Sequence, residues 1–177
     1  HNVSNALAAA AAALACGVGA AQVREGLVSF KPLEHRLEPC GEIGGVKFVN
    51  DSKATNVDAT LKALSAFAPH TAIFLLGGND KGTDLDELVE ACDAKCKAVV
   101  CFGAAGERFF DAFANAGVKH VRAEHMEDAL DTAISMAQPG DEVVLSPACS
   151  SFDEFDSFEH RGKVFKQLVA FRANNAR

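Results

Sequence analysis

The sequence predicts an α/β fold, a mostly parallel sheet with flanking helices, preceded by a short helical segment. Three observations carry this expectation. From Val57 onward, short apolar runs alternate with stretches of helical periodicity, the pattern of successive β-α-β units. Ile73–Leu76 and Val99–Phe102 are unbroken apolar runs, as expected of strands buried on both faces. Each run ends in glycine, at Gly77-Gly78 and at Gly103, where a strand passes into a turn.

The elements follow in order. Residues 4–15 are alanine-rich and read as a helix stopped by Gly17 and Gly19. A second short helix covers Ala20–Val28, and Lys31-Pro32 breaks the chain. Glu34–Glu42 and Val46–Asn50 read as two strands joined at Gly44-Gly45, a hairpin signal. Val57, Leu61, Leu64 and Ala68 share one helical face. Beyond the Ile73–Leu76 strand, Thr83-x-x-Asp86 has the form of a capping box, with Leu85, Leu88, Val89 and Cys92 following at helical spacing. Val99–Phe102 precedes a helix marked by Phe109 and Phe113, and Val118–Val121 is a weak strand. Glu127–Ala137 reads as a helix, Val143–Leu145 as a strand, and Phe158–Phe171 as a final helix starting near Asp156.

Bulk properties narrow the function. A chain of 177 residues and 18.6 kDa supports one domain with a core of its own, plus an appendage. The net charge of −7 argues against broad nucleic-acid or anionic-membrane binding, so any phosphate site must be local. No basic leader and no long apolar span is present, which points to a cytoplasmic protein without a membrane partner. Six scattered cysteines fit a reduced compartment better than a disulfide framework. Cys92 and Cys96, four residues apart, lack the further ligands a zinc site needs, and core packing is their expected role.

The polar stretches that follow strands are the candidate ligand loops, because ligands of such sheets bind outside the carboxyl ends of the strands. Asn50–Asn56, N-D-S-K-A-T-N, packs an acid, two hydroxyls, a lysine and two amides into seven residues. Gly77–Gly82, G-G-N-D-K-G, puts Lys81 at the mouth of a strand-to-helix turn, and it is neither a P-loop nor a G-x-G-x-x-G motif. Ser146–Phe155 is rich in serine and leads toward a helix start, where free N–H groups favour an anion. His35-Arg36-Leu37-Glu38, read by itself, is a solvated charge cluster on a strand, although its guanidinium suits phosphate oxygens. Cys149 has no histidine placed to activate it and is not read as a nucleophile.

Taken together, these motifs resemble the Mur ligases, the bacterial amide-forming enzymes of peptidoglycan precursor synthesis. The matching elements are H-x-x-x-N at 1–5 (within H-N-V-S-N), H-R-L-E at 35–38, N-D-S-K-A-T-N at 50–56 and L-L-G-G-x-D-K-G at 75–82. They continue with L-S-P-A-C-S-S-F-D-E-F at 145–155 and F-E-H-R-G at 158–162. Within the family, N-D-S-K-A-T-N with S-P-A-C-S-S-F-D resembles the D-glutamate-adding branch.

The resemblance implies a Rossmann-like, mostly parallel sheet with flanking helices. Residues 1–32 are expected to be the tail of a central ATPase domain and 33–177 the C-terminal, amino-acid-binding domain. The implied reaction uses ATP and Mg²⁺ to join D-glutamate to UDP-N-acetylmuramoyl-L-alanine through an acyl phosphate. The P-loop and metal ligands are expected upstream, so no metal ligand is assigned here and the fragment is expected to be an inactive monomer. Residue by residue, the similarity implies that Thr55, Lys81, Ser151 and Phe158 hold D-glutamate, Phe158 through its backbone. A cation, hydroxyl donors and an N–H at a helix start suit a dicarboxylate. Asn2, Asn5, Arg36 and Asp51 are implied for ATP, Lys53 for the reacting centre beside Lys81, and His35 for orienting this junction. Two alternatives stay open: a related ligase with another amino acid acceptor, such as a folate polyglutamate ligase, and a non-catalytic binding module.

Overall fold

The computed structural model describes residues 2–30 and 33–175, so His1 and the expected break at Lys31-Pro32 lie outside the described residues. The chain divides into two units, His1–Leu33 and Glu34–Arg177. The first is a pair of helices, α1 (Asn2–Ala15) and α2 (Ala20–Ser29). Both follow the alanine-rich and short-helix segments read in the sequence.

The second unit is built on a six-stranded sheet of order β1-β2-β6-β3-β4-β5. Its strands are β1 (Glu38–Ile43), β2 (Val46–Asn50), β3 (Ala72–Gly77), β4 (Ala98–Phe102), β5 (Lys119–Arg122) and β6 (Glu142–Ala148). β1 and β2 form the antiparallel hairpin at one edge, and every other pairing is parallel. The helices are α3 (Val57–Leu64), α4 (Asp86–Lys95), α5 (Gly106–Ala112), α6 (Met126–Met136) and α7 (Phe158–Asn175).

Alternation along β3 explains the layers. Phe74 and Leu76 pack into a core with Leu64, Leu88, Cys92, Phe109 and Phe113 from α3, α4 and the α5 region. Ile73 and Leu75 face a second core with Met126, Leu130, Phe165 and Val169 from α6 and α7. Both faces of the central strands are therefore covered, and every β3 residue is buried. Cys92 and Cys96 lie in the first core, as packing residues. Among the described residues, no helix is long and apolar enough to cross a membrane.

Several boundaries differ from expectation for physical reasons. The first strand begins at Glu38 rather than Glu34, because His35 (φ 64°) and Leu37 (φ 43°) adopt left-handed backbone that ends strand geometry. α3 stops at Leu64, four residues before Ala68, where Ser65 caps it and its Oγ donates to the Lys62 carbonyl. The capping box at Thr83 does not form: Leu85 takes the N-cap position without a side-chain bond, and Asp84 accepts from the Asp86 N–H instead. β6 runs on to Ala148, so Ser146 belongs to the strand and not to the loop after it. Pro147 is tolerated there because pairing with β2 ends at Leu145 and the β3 pairing is irregular between Leu75 and Gly77.

Candidate functional site

The strand order places the loops. β2, β6 and β3 are neighbours, so the segments after Asn50, Ala148 and Gly77 emerge side by side at the carboxyl edge of the sheet. Between them and the start of α7 lies a cavity of about 440 Å³, lined by Thr55, Asn79, Asp80, Lys81, Ser150, Ser151, Phe152 and Phe158. All four residues expected to hold an acidic amino acid, Thr55, Lys81, Ser151 and Phe158, are thus brought to one place.

Each has a distinct support. Thr55 stands just before Asn56, the N-cap of α3, whose side chain accepts from the Ala59 N–H at 2.9 Å. Ser151 is 2% exposed, and its carbonyl accepts from Phe155 N–H at 2.8 Å, folding the loop back toward α7. Phe158 opens α7, where the first N–H groups have no intrahelical partner. Lys81 follows Gly77 and Gly78, both at positive φ (134° and 127°). A Cβ on Gly77 would sit 1.9 Å from the Phe102 carbonyl oxygen and one on Gly78 2.5 Å from that of Ser150. These glycines serve close packing of backbone, while the charge in the turn comes from Asp80 and Lys81. Lys53 is exposed, with its Nζ 4.7 Å from the centre of the Phe158 ring.

Beneath the cavity lies Arg161, fully buried on α7. Its Nε donates to Ser52 Oγ (2.9 Å), one Nη to the Ser52 and Cys149 carbonyls (2.9 and 3.1 Å), and the other to the Ser150 carbonyl (3.2 Å). Ser52 Oγ in turn donates to the Phe158 carbonyl at 2.8 Å. One guanidinium therefore ties the loops after β2 and β6 to the start of α7. It makes no ion pair with a carboxylate among the described residues, and burial lowers its pKa to about 10. No role for Arg161 was expected, although it lay inside F-E-H-R-G. The signal was available: Arg161, Phe165 and Val169 fall at i, i+4 and i+8, the buried stripe of α7.

The residues expected on the nucleotide side divide. Asp51 is 5% exposed; its Oδ1 accepts from Leu37 N–H (3.2 Å) and its Oδ2 from Ser146 Oγ (2.7 Å). Burial pushes its carboxyl up to about 6 against these two bonds and the nearby Arg36. Arg36 is exposed, on the turn that Asp51 holds at Leu37. Asn5 is exposed on α1, in the first unit, and the side chain of Asn2 lies outside the described residues.

The tetrad at 35–38 is solvated only in part: Arg36 is exposed and Glu38 half-buried, but His35 is buried. His35 is 3% exposed, 2.9 Å from Asn50 Nδ2 and edge-on to the Phe158 ring. It packs so closely on α7 that a Cβ at Gly162 would lie 2.2 Å from its Nδ1. Glu34, His35 and Glu38 bring potential metal ligands within 4.8 Å of one another. Lys166 fills that position, however, pairing with Glu34 (2.6 Å) and Glu38 (3.0 Å). Cys149 is 1% exposed and burial pushes its thiol up to about 12, which suits packing and not nucleophilic attack.

Comparison with known proteins shows the family. Residues 35–149 match the family model described as Mur ligase, glutamate ligase domain. A UDP-N-acetylmuramoylalanine–D-glutamate ligase of Solibacter usitatus is 48% identical over 96% of this chain, and one of Geobacillus kaustophilus is 43% identical over 96%. The chain spans 38% of the length of each. Among solved structures, a UDP-N-acetylmuramate-alanine ligase from Thermotoga maritima has a TM-score of 0.73 at 18% identity, covering all of this chain and 38% of that one. A folylpolyglutamate synthase of Mycobacterium tuberculosis, solved with ADP, has a TM-score of 0.60 at 17% identity, covering 82% of this chain and 34% of that one. At such identities the structures establish the shared fold. With the family model spanning the whole sheet and the loops after β2 and β3, the chain belongs to the Mur ligase family and carries its glutamate ligase domain.

Proposed function

We propose that the full-length protein is an ATP-dependent, ADP-forming ligase that joins D-glutamate to UDP-N-acetylmuramoyl-L-alanine in peptidoglycan precursor synthesis. In this reading residues 1–32 are the tail of a central ATPase domain. Residues 33–177 are the C-terminal domain, which holds D-glutamate and part of the ATP and is inactive alone. The protein is read as a monomeric cytoplasmic enzyme without nucleic-acid or membrane partners. The observation that carries the reading is the meeting of Thr55, Lys81, Ser151 and Phe158 around one cavity of about 440 Å³. Similarity to relatives named for D-glutamate ligation supports D-glutamate as the acceptor.

The chemistry is acyl transfer. The carboxylate of UDP-N-acetylmuramoyl-L-alanine attacks the γ-phosphorus of ATP, giving an acyl phosphate and ADP. The amine of D-glutamate then adds to the acyl carbon, and phosphate leaves as the amide forms. Positioning and charge stabilisation do most of the work in such steps. The Lys81 ammonium pairs with a carboxylate of D-glutamate, while the Thr55 and Ser151 hydroxyls and the Phe158 N–H donate to its oxygens. Phe158 does so at the positive end of an 18-residue helix. Lys53 is assigned to the reacting centre, as a cation toward the acyl phosphate.

On the nucleotide side, Arg36 is assigned to the phosphates, Asn2 and Asn5 to ATP with Asn2 near the base, and Asp51 to the ribose. Asp51 also holds the turn that carries Arg36, which couples these two residues. Mg²⁺ is the expected companion of ATP. Among the described residues, the candidate ligand cluster does not fit it, because the Lys166 ammonium already sits between both carboxylates and pairs with each. No step here is routed through the metal, whose ligands are assigned to the rest of the protein.

The test is phosphate release by the full-length protein with ATP, Mg²⁺ and UDP-N-acetylmuramoyl-L-alanine, comparing D-glutamate, L-glutamate and diaminopimelate. Release that depends on D-glutamate alone supports reaction and acceptor together. Release with another acceptor keeps the chemistry and moves the specificity, and release with none removes the ligase reading.

A further inference from the structure

We infer that Arg108 sets the acceptor charge preference of the cavity by masking Asp80, an anion placed beside Lys81. The inference rests on the reading of the cavity as a D-glutamate site. Asp80 and Lys81 are consecutive and both line the cavity. For an acidic amino acid they act in opposite senses: Lys81 attracts its carboxylates and a free Asp80 repels them.

Arg108, from α5, resolves this conflict. One Nη donates to Asp80 Oδ2 at 2.6 Å and the other to the Thr83 carbonyl at 2.6 Å. The two prongs grip the turn on either side of Lys81 and Gly82. The turn is held at its other end by Ser150, whose carbonyl accepts from Asn79 N–H and whose Oγ donates to the Asn79 carbonyl, both at 2.9 Å. Lys81 itself makes no hydrogen bond or ion pair among the described residues. The turn thus presents one unpaired cation next to a neutralised anion.

Arg108 is placed for this by a fixed helix. Its neighbour Phe109 and the C-cap Phe113 are fully buried, and Ala105 N–H donates to the Gly78 carbonyl at 2.9 Å. The ion pair is open to solvent, with Arg108 42% and Asp80 20% exposed. Pairs of this kind add little to stability, which leaves the charge seen by a ligand as what the pair controls.

The experiment measures KM for D-glutamate and for ATP in the full-length protein carrying Arg108→Ala, Asp80→Asn, or both. R108A is expected to raise the KM for D-glutamate about tenfold and leave that for ATP within about twofold. The double variant is expected to return to within about threefold of wild type, because removing the unmasked carboxylate removes the harm. A double variant as impaired as R108A overturns the masking role and leaves Arg108 as a support of the Thr83 carbonyl. An R108A enzyme that matches wild type overturns it as well. Failure of the wild-type protein to use D-glutamate overturns instead the reading on which the inference rests, so the two failures are told apart.

Discussion

The cavity is walled by two lysine-bearing loops that are held in opposite ways. Asn50–Asn56 rests on buried groups: Asn50, Asp51 and Ser52 are at most 5% exposed, and fully buried Arg161 grips Ser52 twice. Asn79–Thr83 rests on an exposed residue of a neighbouring helix, Arg108, and on Ser150. The first loop is part of the core, and disturbing it disturbs folding. The second is fastened from outside, where its charge can change at little cost to stability. In the first loop geometry and stability are the same property, whereas in the second they are separable.

The largest expected effect breaks the first support. Arg161→Ala leaves the carbonyls of Ser52, Cys149 and Ser150 without their donors and opens a cavity under α7. A loss of about 3–5 kcal/mol is expected, read as a shifted midpoint in urea unfolding of this chain. A loss below about 1 kcal/mol would show that the guanidinium is dispensable to the loop.

A smaller effect sharpens the comparison through pH. Burial raises the Asp51 carboxyl from its ordinary 3.8 to about 6. The native state therefore binds this proton more tightly than the unfolded chain. The contribution of Asp51 to stability is greatest below about pH 4 and is lost as pH rises through about 6. Asp51→Asn removes the buried charge while its amide still serves Leu37 and Ser146. It is expected to be about 1–3 kcal/mol more stable than wild type at pH 7.5, with the gain vanishing near pH 4. Parallel unfolding curves at the two pH values check this, and a gain that grows toward acid contradicts it. In the full-length protein the same change is expected to raise the ATP requirement. Last and smallest, Arg108→Ala is expected to cost this chain less than about 1 kcal/mol of stability. A loss near that of Arg161→Ala would erase the distinction between the loops.

The sequence was informative wherever residue type and local period decide the outcome. Ile73–Leu76 and Val99–Phe102 read as buried strands because apolar runs of that length, closed by glycine, have few other uses. The loops that carry Thr55, Lys81 and Ser151 are legible because polar runs directly after such strands are poor core, while the choice of these residues within them comes from the resemblance to the family. The features that local sequence does not reveal are set by distant partners. His35 and Leu37 leave strand geometry on a turn tied by the Asp51 carboxylate 14 residues away and by Glu38. Thr83 does not cap α4; its carbonyl accepts from Arg108, which comes from a later helix. Nor does the order β2-β6-β3, which sets the three loops side by side, follow from local period, since β6 enters the sheet some ninety residues after β2. Arg161 is hard to see in the sequence, because a charged residue in a short motif reads as solvated unless its place in the apolar stripe of α7 is weighed first.

The most direct test of the central claim, that this cavity holds the acidic acceptor, is the KM for D-glutamate set beside the KM for ATP in full-length Lys81→Ala. Loss of one charge-assisted contact predicts a rise of roughly 10- to 100-fold for D-glutamate and a change within about twofold for ATP. Equal rises for both substrates, or none for D-glutamate, would contradict the assignment of the cavity.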